Sequence, residues 1–407
     1  MNNKITIFQF FYKNIEIYCN ENKYSKRYFK FTFLLLNFLF VLINLKQFEK
    51  LFNYKSLAFY NHYIKYCSNL KVFKRIINKK YMPYVSICLP VYNMENYIQK
   101  SILSILNQSF QNFEIIIVND YSFDKTRDIV IEMQKKDNRI KLINHSQNLG
   151  VYTSRVDGIL ASIGKYIILM DPDDMLLNPK ILEELYNYNL KYNLDIIEYT
   201  VFCYKEKYNI LKYIKQYYHF HYLKKNIIYQ PELSDIYFYH PLNSSYSKVQ
   251  CRTIWNKIIR RKILLNSILY IGEDYYNKFF ITAEDTLINL ISLHFSQNYS
   301  NINIPGYMYN IREISMTHGK SSKKKKIIFC YNHLLYIKKF YYFIKNFNKN
   351  IYYFYYELKE ISKILLKLLK ISRNHTSEIN IFFKKIFNDK YISNKIKLDI
   401  KNLLSFK

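Results

Sequence analysis

Three aspartates follow a short apolar run in the middle of the chain. Residues 166–170 read Tyr-Ile-Ile-Leu-Met, which is typical of a buried strand, and Asp171, Asp173 and Asp174 come directly after them around a proline. Carboxylates are costly to bury without a partner, so a cluster at a strand end belongs in solvent or on a cation. Asp171 and Asp173 offer the oxygen ligands that Mg²⁺ or Mn²⁺ prefers, and such a metal can also bind phosphate oxygens.

A helix cap or an acidic turn is the plainer interpretation of the same Asp-x-Asp spacing, and the pair alone would favour it. The surrounding elements shift the balance. In open α/β sheets, ligands bind beyond the carboxyl ends of the strands. A strand that delivers Asp171 and Asp173 to such an edge predicts a metal and phosphate site.

Apolar strands and amphipathic helices alternate regularly from Tyr84 onward. The predicted strands are 84–91, 113–119, 139–143, 165–170 and 194–202. The predicted helices are 95–108, 124–135 and 152–162, followed by one that begins at Asn178-Pro179. Continuous apolar strands separated by helices predict an α/β fold with a Rossmann-like, mostly parallel sheet covered on both faces.

The 407-residue chain is strongly basic, with 61 Lys and Arg against 31 Asp and Glu and a formal net charge of +30. Such an excess can reflect an anionic membrane surface or nucleic acid as partner. It can also reflect drift in an AT-rich genome, because Lys, Asn, Ile, Tyr and Phe abound while Gly and Pro number only 6 and 7. The basic residues are dispersed, apart from Lys323–Lys326 and the C-terminus. We therefore favour drift first and acidic lipid second, and we expect no nucleic-acid partner.

Residues 31–45 form an uncharged apolar segment between Lys30 and Lys46. Extended to 29–48, with both lysines reaching outward, the segment approaches the roughly 20 residues that span a bilayer. It begins too far from Met1 for an ordinary signal peptide. The sequence thus predicts a membrane-associated protein with a single spanning segment, whose side the flanking lysines do not set. A buried helix in an otherwise cytoplasmic protein is the alternative.

Five short motifs occur in order along the region of alternating strands and helices. They lie at Leu89–Glu95, Ser104–Phe110, Glu114–Ser122, Asn148–Gly150 and Asp171–Asp174. Each is weak alone, but the succession resembles the family 2 glycosyltransferases, which have the GT-A fold and use nucleotide-sugar donors. The resemblance covers residues 84–200 well and continues less clearly to residue 320. It implies a metal-assisted transfer of a sugar, from a UDP-sugar first among donors, to an acceptor hydroxyl with inversion.

The sequence predicts four regions, and the resemblance gives roles only to the two in the middle. Residues 1–80 are an N-terminal region with the membrane segment, and 82–204 are the nucleotide-sugar-binding half. Residues 205–320, where the strand–helix alternation fades, are the acceptor-side half that carries the catalytic residues. Residues 321–407 are a basic helical C-terminal region, with an apolar stripe at helical spacing between Leu358 and Leu369.

The turn after the first strand carries Pro90, Tyr92 and Glu95. In the family this turn lines the nucleotide base, and an aromatic ring beside an acid suits a flat base with polar edges. The resemblance implies that Asp120, which ends the second strand, also contacts the base, although an aspartate there is more often a cap. Arg155 is implied to contact the donor's phosphates. The family has Ala-Arg-Asn where this chain has Ser-Arg-Val-Asp, and a surface ion pair is the alternative for Arg155.

By the same resemblance, Asp171 and Asp173 hold Mn²⁺ or Mg²⁺ against the diphosphate. Asp173 is the implied direct ligand, while Asp171 reaches the ribose or acts through water. Asp174 is either a third ligand or structural. A divalent cation would offset the negative charge that develops on the leaving diphosphate.

The segment Thr282–Thr286 resembles the family's Glu-Asp motif, which implies Asp285 as general base with Glu284 beside it. Two acids at the start of a helix also stabilise its dipole, and that is the alternative for the pair. The acceptor is a glycan, a lipid or a protein.

Two further segments resemble the family around this motif. Trp255 begins a Trp-Asn-Lys run and either stacks on an acceptor sugar or belongs to the core. Arg312 lies in a Tyr-x-x-Arg-x-x-Ser segment, and Arg312 and His318 are implied to approach the diphosphate or the metal.

A catalytically inactive, membrane-attached binding or scaffold protein with the same fold is the alternative function. The altered run at Ser154–Asp157 permits it, whereas the intact acids at Asp171–Asp174 and at Glu284 and Asp285 favour an enzyme. A sugar nucleotidyltransferase would need a Gly-rich phosphate loop after the first strand, and residues 90–93 contain no glycine.

Overall fold

The computed structural model describes residues 82–205, 210–212, 227–230, 233, 253–276, 278–312 and 323–346. The chain divides into two compact units, residues 1–58 and 59–407, and all the described residues belong to the second. The predicted membrane segment at 29–48, the apolar stripe of the tail and His318 lie outside the described residues. Among the helices that are described, none is both long and apolar enough to cross a bilayer.

The described strands and helices alternate through the first half of the chain and become mixed in the second. The strands are β1 (Val85–Val91), β2 (Phe113–Asn119), β3 (Ile140–Asn144), β4 (Tyr166–Leu169), β5 (Met175–Leu176), β6 (Ile196–Lys205), β7 (Ile210–Lys212), β8 (Ile228–Tyr229), β9 (Lys257–Arg260) and β10 (Asn298–Ile311). The helices are α1 (Ile98–Leu106), α2 (Thr126–Lys136), α3 (Val151–Ala161), α4 (Ile181–Tyr192), α5 (Arg261–Ile271), α6 (Glu273–Tyr276), α7 (Glu284–Phe295) and α8 (Lys323–Asn346).

The strands form one sheet in the order β3-β2-β1-β4-β9-β6-β10-β5, with β7 beside β6 and β8 beside β10. β1 pairs in parallel with β2 and β4, and β2 pairs in parallel with β3. β9 is antiparallel to its neighbours β4 and β6, and β6 and β10 again run parallel to each other. The expected α/β fold with a mostly parallel sheet is confirmed.

Helices cover both faces of the sheet, which explains why its strands read as continuous apolar runs. All seven residues of β1 are buried. Val85, Ile87 and Leu89 belong to a core shared with α1, α2 and α4. On the other face α3 lies close to β1, where a Cβ on Gly158 would come within 3.2 Å of the Cβ of Cys88.

The first helix is shorter than predicted, because it begins at Ile98 rather than Glu95. The residues before it form a turn whose backbone donates to side chains in the loop after β2 and at the first residue of α2. Met94 N donates to Thr126 Oγ1 at 2.7 Å, and Glu95 N donates to Asp124 Oδ2 at 3.1 Å. Hydrogen bonds therefore join the turn after β1 to the segment between β2 and α2 at this edge of the sheet.

The long strand β10 is the main feature that the sequence did not reveal. It lies in the region expected to be mixed, and polar residues interrupt its apolar pattern. Its register against β6 shifts on both sides of Pro305, a residue that cannot donate a backbone hydrogen bond. Gly306 follows at this irregularity and lies directly on the side chains of Tyr199 and Ile181.

We expect Gly306→Ala to lower the free energy of unfolding by about 1–3 kcal/mol, the usual cost of overpacking a core. A Cβ there would lie 2.6 Å from Tyr199 Cδ2 and 2.7 Å from Ile181 Cγ1, and both residues are fully buried. Urea unfolding followed by circular dichroism measures the loss. Gly272→Ala is the comparison, because its Cβ would meet no atom closer than 3.9 Å and only its positive φ opposes the change. If Gly306→Ala were as stable as wild type, a Cβ at this position would not be crowded by Tyr199 and Ile181.

Candidate functional site

Four strands deliver the predicted site residues to one edge of the sheet. Because β1, β2 and β4 run parallel, their carboxyl ends meet there. Tyr92 follows β1, Asp120 follows β2 and Asp171 comes shortly after β4. β10 runs in the same direction through β6 and β9, so that Arg312 at its end reaches the same edge.

Asp174 fixes the loop between β4 and β5 to β10. Its side chain is fully buried. Oδ2 accepts a hydrogen bond from the hydroxyl of Tyr307 at 2.7 Å, and Oδ1 accepts one from the backbone N–H of Asn310 at 2.8 Å. The backbone N–H of Asp171 in turn donates to the Tyr307 hydroxyl at 3.2 Å. These contacts give Asp174 a structural role and leave Asp171 and Asp173 as the candidate metal ligands.

Arg155 connects this loop to the acid pair at the start of α7. Its guanidinium donates to Asp171 Oδ1 at 2.7 Å and, from its other terminal nitrogen, to Glu284 Oε1. Arg155 is 4% exposed, so this is an internal ion pair and not a surface one. The predicted phosphate-binding arginine therefore lies between the two predicted acidic motifs.

Arg312 forms the second positive group of the site. Its guanidinium pairs with Asp173 Oδ2. The same guanidinium lies 4.9 Å from the ring centroid of Tyr97, and its other terminal nitrogen is 3.8 Å from Met94 Sδ. Arg312 thus spans from the acidic loop to the turn after β1.

Burial disfavours the ionised form of two carboxyl groups in this loop, those of Asp173 and Asp174. Burial raises the pKa of Asp173 to about 6, assisted by the charge of Asp171 and opposed by Arg312. Burial, together with the charges of Asp173 and Asp171, also raises the pKa of Asp174 well above its usual range. Ionised carboxylates are thus disfavoured here in the absence of further positive charge.

The acid pair shows the same effect at the start of α7. Burial raises the pKa of Glu284 to about 7 against the opposing charge of Arg155, and burial also raises the pKa of Asp285. Glu284 is only 4% exposed, while Asp285 is partly exposed and accepts a hydrogen bond from Thr286 N at 2.7 Å. Ala283, directly before the pair, has a left-handed φ of 65° that favours glycine.

The donor set of the loop fits a divalent cation. Among the described residues, five carboxyl groups lie near only two guanidinium groups, those of Arg155 and Arg312. The carboxyl groups are those of Asp171, Asp173, Asp174, Glu284 and Asp285. Added positive charge would relieve the repulsion among these acids. Within the part of the chain that the structure describes, no three acidic, histidine or cysteine side chains could hold a metal by themselves. Asp171 and Asp173 would therefore share the ion with ligand oxygens and water.

Asp120 is buried and already makes several hydrogen bonds within the protein. Its Oδ1 accepts from Leu149 N at 2.8 Å and lies 2.7 Å from His145 Nδ1, and its Oδ2 accepts from Gly150 N at 2.8 Å. A carboxylate offers about four acceptor positions, so one is left for a ligand. Asp120 holds the loop before α3 in addition to any contact with a base.

His145 is a component of the site that the sequence analysis missed. Its Nε2 lies 2.9 Å from Asp157 Oδ2, and the hydroxyl of Tyr276 donates to both oxygens of Asp157 at 3.0 Å. Burial alone would lower the pKa of His145, but hydrogen bonds to Asp120 and Asp157 raise the pKa to about 9. A protonated histidine therefore joins the end of β3 to α3 and α6. Its position just after a strand was the available signal.

The base-binding candidates differ in exposure. Tyr92 is 40% exposed, and its ring meets the 80% exposed ring of Phe123 edge to face, with centroids 6.0 Å apart. Phe123 was not predicted. Glu95 uses Oε2 to accept a hydrogen bond from Lys125 N at 2.9 Å. Pro90 is buried within β1.

Trp255 belongs to the core, which decides between its two predicted roles. It is 4% exposed and stacks on Tyr307 and Tyr309, with ring centroids 4.6 and 5.3 Å away. Tyr307 also donates a hydrogen bond to Asp174, so this aromatic stack helps to hold the loop at Asp171–Asp174 in place.

We predict that the raised pKa of His145 makes the stability of the protein depend on pH. The folded-state value of about 9 lies above the usual value of about 6.5, so the contribution is complete below about pH 6.5 and is lost as the pH rises through 9. We expect the free energy of unfolding to fall by roughly 1–3 kcal/mol more in wild type than in His145→Gln between pH 6 and 9.5. Urea unfolding at both pH values tests this, and parallel pH profiles would refute it.

The family described as glycosyl transferase family 2 matches residues 86–266. An uncharacterized glycosyltransferase of Haemophilus influenzae is 42% identical over 113 residues, which are 28% of this chain and 45% of that protein. The chain thus spans less than half the length of this relative. The uncharacterized glycosyltransferase EpsJ of Bacillus subtilis is 28% identical over 263 residues, covering 62% of this chain and 71% of that protein.

A crystal structure of residues 1–349 of S. aureus TarS in complex with UDP superposes with a TM-score of 0.49 and 17% identity, covering 79% of this chain and 87% of that one. The family match includes Asp120, Arg155 and the loop at Asp171–Asp174, whereas Glu284 and Asp285 lie beyond its end. By this match and its relatives, residues 86–266 are similar to the family 2 glycosyltransferases.

Proposed function

We propose that this protein transfers a sugar from a nucleotide-sugar donor, a UDP-sugar first among the candidates, to an acceptor hydroxyl with inversion. The observation that carries the proposal is the contact of buried Arg155 with both Asp171 and Glu284. One side chain thereby joins the loop proposed to bind the diphosphate to the acid pair proposed to act on the acceptor. Donor and acceptor bound on either side of it would have their reacting atoms close together.

Asp171 and Asp173 are the proposed ligands of Mn²⁺ or Mg²⁺, with Asp173 binding directly. When bound, the metal supplies positive charge that offsets the charge developing on the leaving diphosphate. Arg155 and Arg312 add fixed positive charge beside the same loop. Arg312 also contacts the turn after β1, so it lies between the proposed binding positions of the diphosphate and of the base.

Asp285 is the proposed general base, and Glu284 is the residue that holds Arg155. The carboxylate of Glu284 is enclosed by its pair with Arg155, while Asp285 is partly exposed at the same helix start. A raised pKa makes Asp285 a stronger base, provided that it is deprotonated at the working pH. We therefore expect transfer to be lost as the pH falls through that raised value.

The nucleotide base is proposed to lie against Tyr92, with Glu95 and the free acceptor position of Asp120 as polar partners. Pro90, buried in β1, would shape the strand end without touching the base itself. The exposed ring of Phe123 stands beside Tyr92 and extends this aromatic wall.

The acceptor is a glycan, a lipid or a protein, and membrane attachment through residues 29–48 is a further part of the proposal. Screening the purified protein against a panel of UDP-sugars for released UDP tests the activity. Binding of UDP without turnover of any donor would refute transfer and favour a binding or scaffold protein.

Asp173→Asn should weaken Mn²⁺-dependent binding of UDP by roughly 100-fold, because a direct ligand should matter at least as much as the groups that orient one. Isothermal titration with and without Mn²⁺ measures this, and chelation of the metal should bring wild type to the level of the variant. Asp128→Asn, which alters an exposed acid on α2, is the matched control and should bind normally. Unchanged affinity of Asp173→Asn in Mn²⁺ would remove the metal assignment.

Asp285→Asn should lower kcat by roughly 10²- to 10⁴-fold, the range that a general base contributes, while UDP affinity stays within about twofold of wild type. Initial rates of UDP release at saturating donor, combined with titration of UDP, separate the two effects. Asp128→Asn again serves as control. A variant that keeps most of its turnover would show that another group takes the proton.

A further inference from the structure

The segment before the acid pair is held by α8, which lies far beyond the family match. Asn332 on α8 is fully buried. Its Oδ1 accepts from the backbone N–H of Ile281 at 2.7 Å and of Thr282 at 3.1 Å, and its Nδ2 donates to the carbonyl of Phe279 at 3.0 Å. One side-chain amide thus satisfies three backbone groups, as a neighbouring strand would.

These bonds lie immediately ahead of the proposed catalytic acids. Thr282 is followed by Ala283, whose left-handed φ of 65° turns the chain into α7, where Glu284 and Asp285 occupy the first turn. A non-glycine residue keeps such a backbone conformation only when its surroundings impose it. Asn332 supplies that constraint on one side of the turn, and the N–H of Leu287, which donates to Ala283 O at 3.2 Å, supplies it on the other.

α8 also holds the segment just upstream. The hydroxyl of Tyr275 donates to the carbonyl of Leu335 at 2.9 Å, and Lys339 Nζ lies 5.7 Å from the centroid of the Tyr275 ring. On its opposite side α6 is tied to α3, because Thr153 Oγ1 donates to the carbonyl of Tyr276 at 2.6 Å. The segment is therefore fixed between α3, which carries Arg155, and α8.

We propose that Asn332 is a positioning residue for the acid pair: it sets the backbone of residues 279–282 so that Asp285 faces the acceptor. This inference rests on the proposed function. The helix α8 would then be part of the catalytic apparatus. Asn332 bonds to backbone atoms of residues 279–282 and to the Thr282 hydroxyl, which donates to its Oδ1 at 3.4 Å. Because none of these groups is proposed to bind donor or metal, we expect the effect to appear in turnover and not in nucleotide binding.

The test compares Asn332→Ala with Asn346→Ala, which removes the same side chain from the exposed end of the same helix, where it bonds Tyr270. We expect Asn332→Ala to lower kcat roughly 10- to 100-fold, the scale of a small misplacement of catalytic groups, with UDP affinity unchanged. UDP release is normalised to the number of UDP-binding sites, so that misfolded protein is not counted. Asn346→Ala should behave as wild type.

Asn332→Ser keeps a smaller hydrogen-bonding group at the same buried position and buries no charge, and it serves if the alanine variant does not fold. We expect a smaller loss of kcat, roughly threefold to tenfold. A normal kcat per UDP-binding site, or a parallel loss of UDP affinity, would overturn the proposal.

Hydrogen exchange of the amides in residues 279–285 gives a readout that does not depend on activity. We expect it to quicken in Asn332→Ala and to stay unchanged in Asn346→Ala, with residues 92–97 unaffected in both. Should wild type release no UDP from any donor, the proposed function fails by that result. Unchanged exchange in Asn332→Ala would overturn the anchoring itself.

Discussion

Buried negative charge at the edge of the sheet is the constraint on which the rest of this site depends. An isolated ionised carboxylate in the interior is too costly to keep, so each acid here has a specific partner. Asp171 pairs with Arg155, Asp173 with Arg312, and Asp174 with a tyrosine hydroxyl and a backbone N–H. Burial first, and then the charges of neighbouring acids, raise the pKa values of Asp173 and Asp174, so added positive charge would favour their ionised forms.

The same pairing connects helices that are distant in the chain. Arg155 lies on α3 and reaches Glu284 at the start of α7. His145 makes a second connection, because it contacts Asp157 on α3, which accepts a hydrogen bond from Tyr276 on α6. A third connection is made by Asn332 on α8, which binds the segment before α7. Each connection is a buried, charged or multiply hydrogen-bonded contact, so small shifts between these helices would leave polar groups unpaired.

Residues that carry chemistry could be predicted where a strong local pattern marks them. The apolar run before Asp171 and the acids at Glu284 and Asp285 stand out in the sequence, and the structure brings both to one region through Arg155. His145 and Asn332 could not be predicted in the same way. The position of His145 after a strand does not reveal its partners, and Asn332 has no local signature, because the role of each residue comes from partners that are distant in the chain.

The sequence by itself determined the α/β fold, the approximate bounds of β1, β2, β3, β4 and β6, and the candidate acids. Burial on both faces of the sheet and turns at the strand ends leave local patterns that can be recognised in the sequence. Only the tertiary structure decided what each charged group pairs with. It gave Asp174 a structural role, placed Trp255 in the core and joined α8 to the acid pair. The physical reason is that electrostatic and hydrogen-bond partners are set by distance in space, which separation along the chain does not encode.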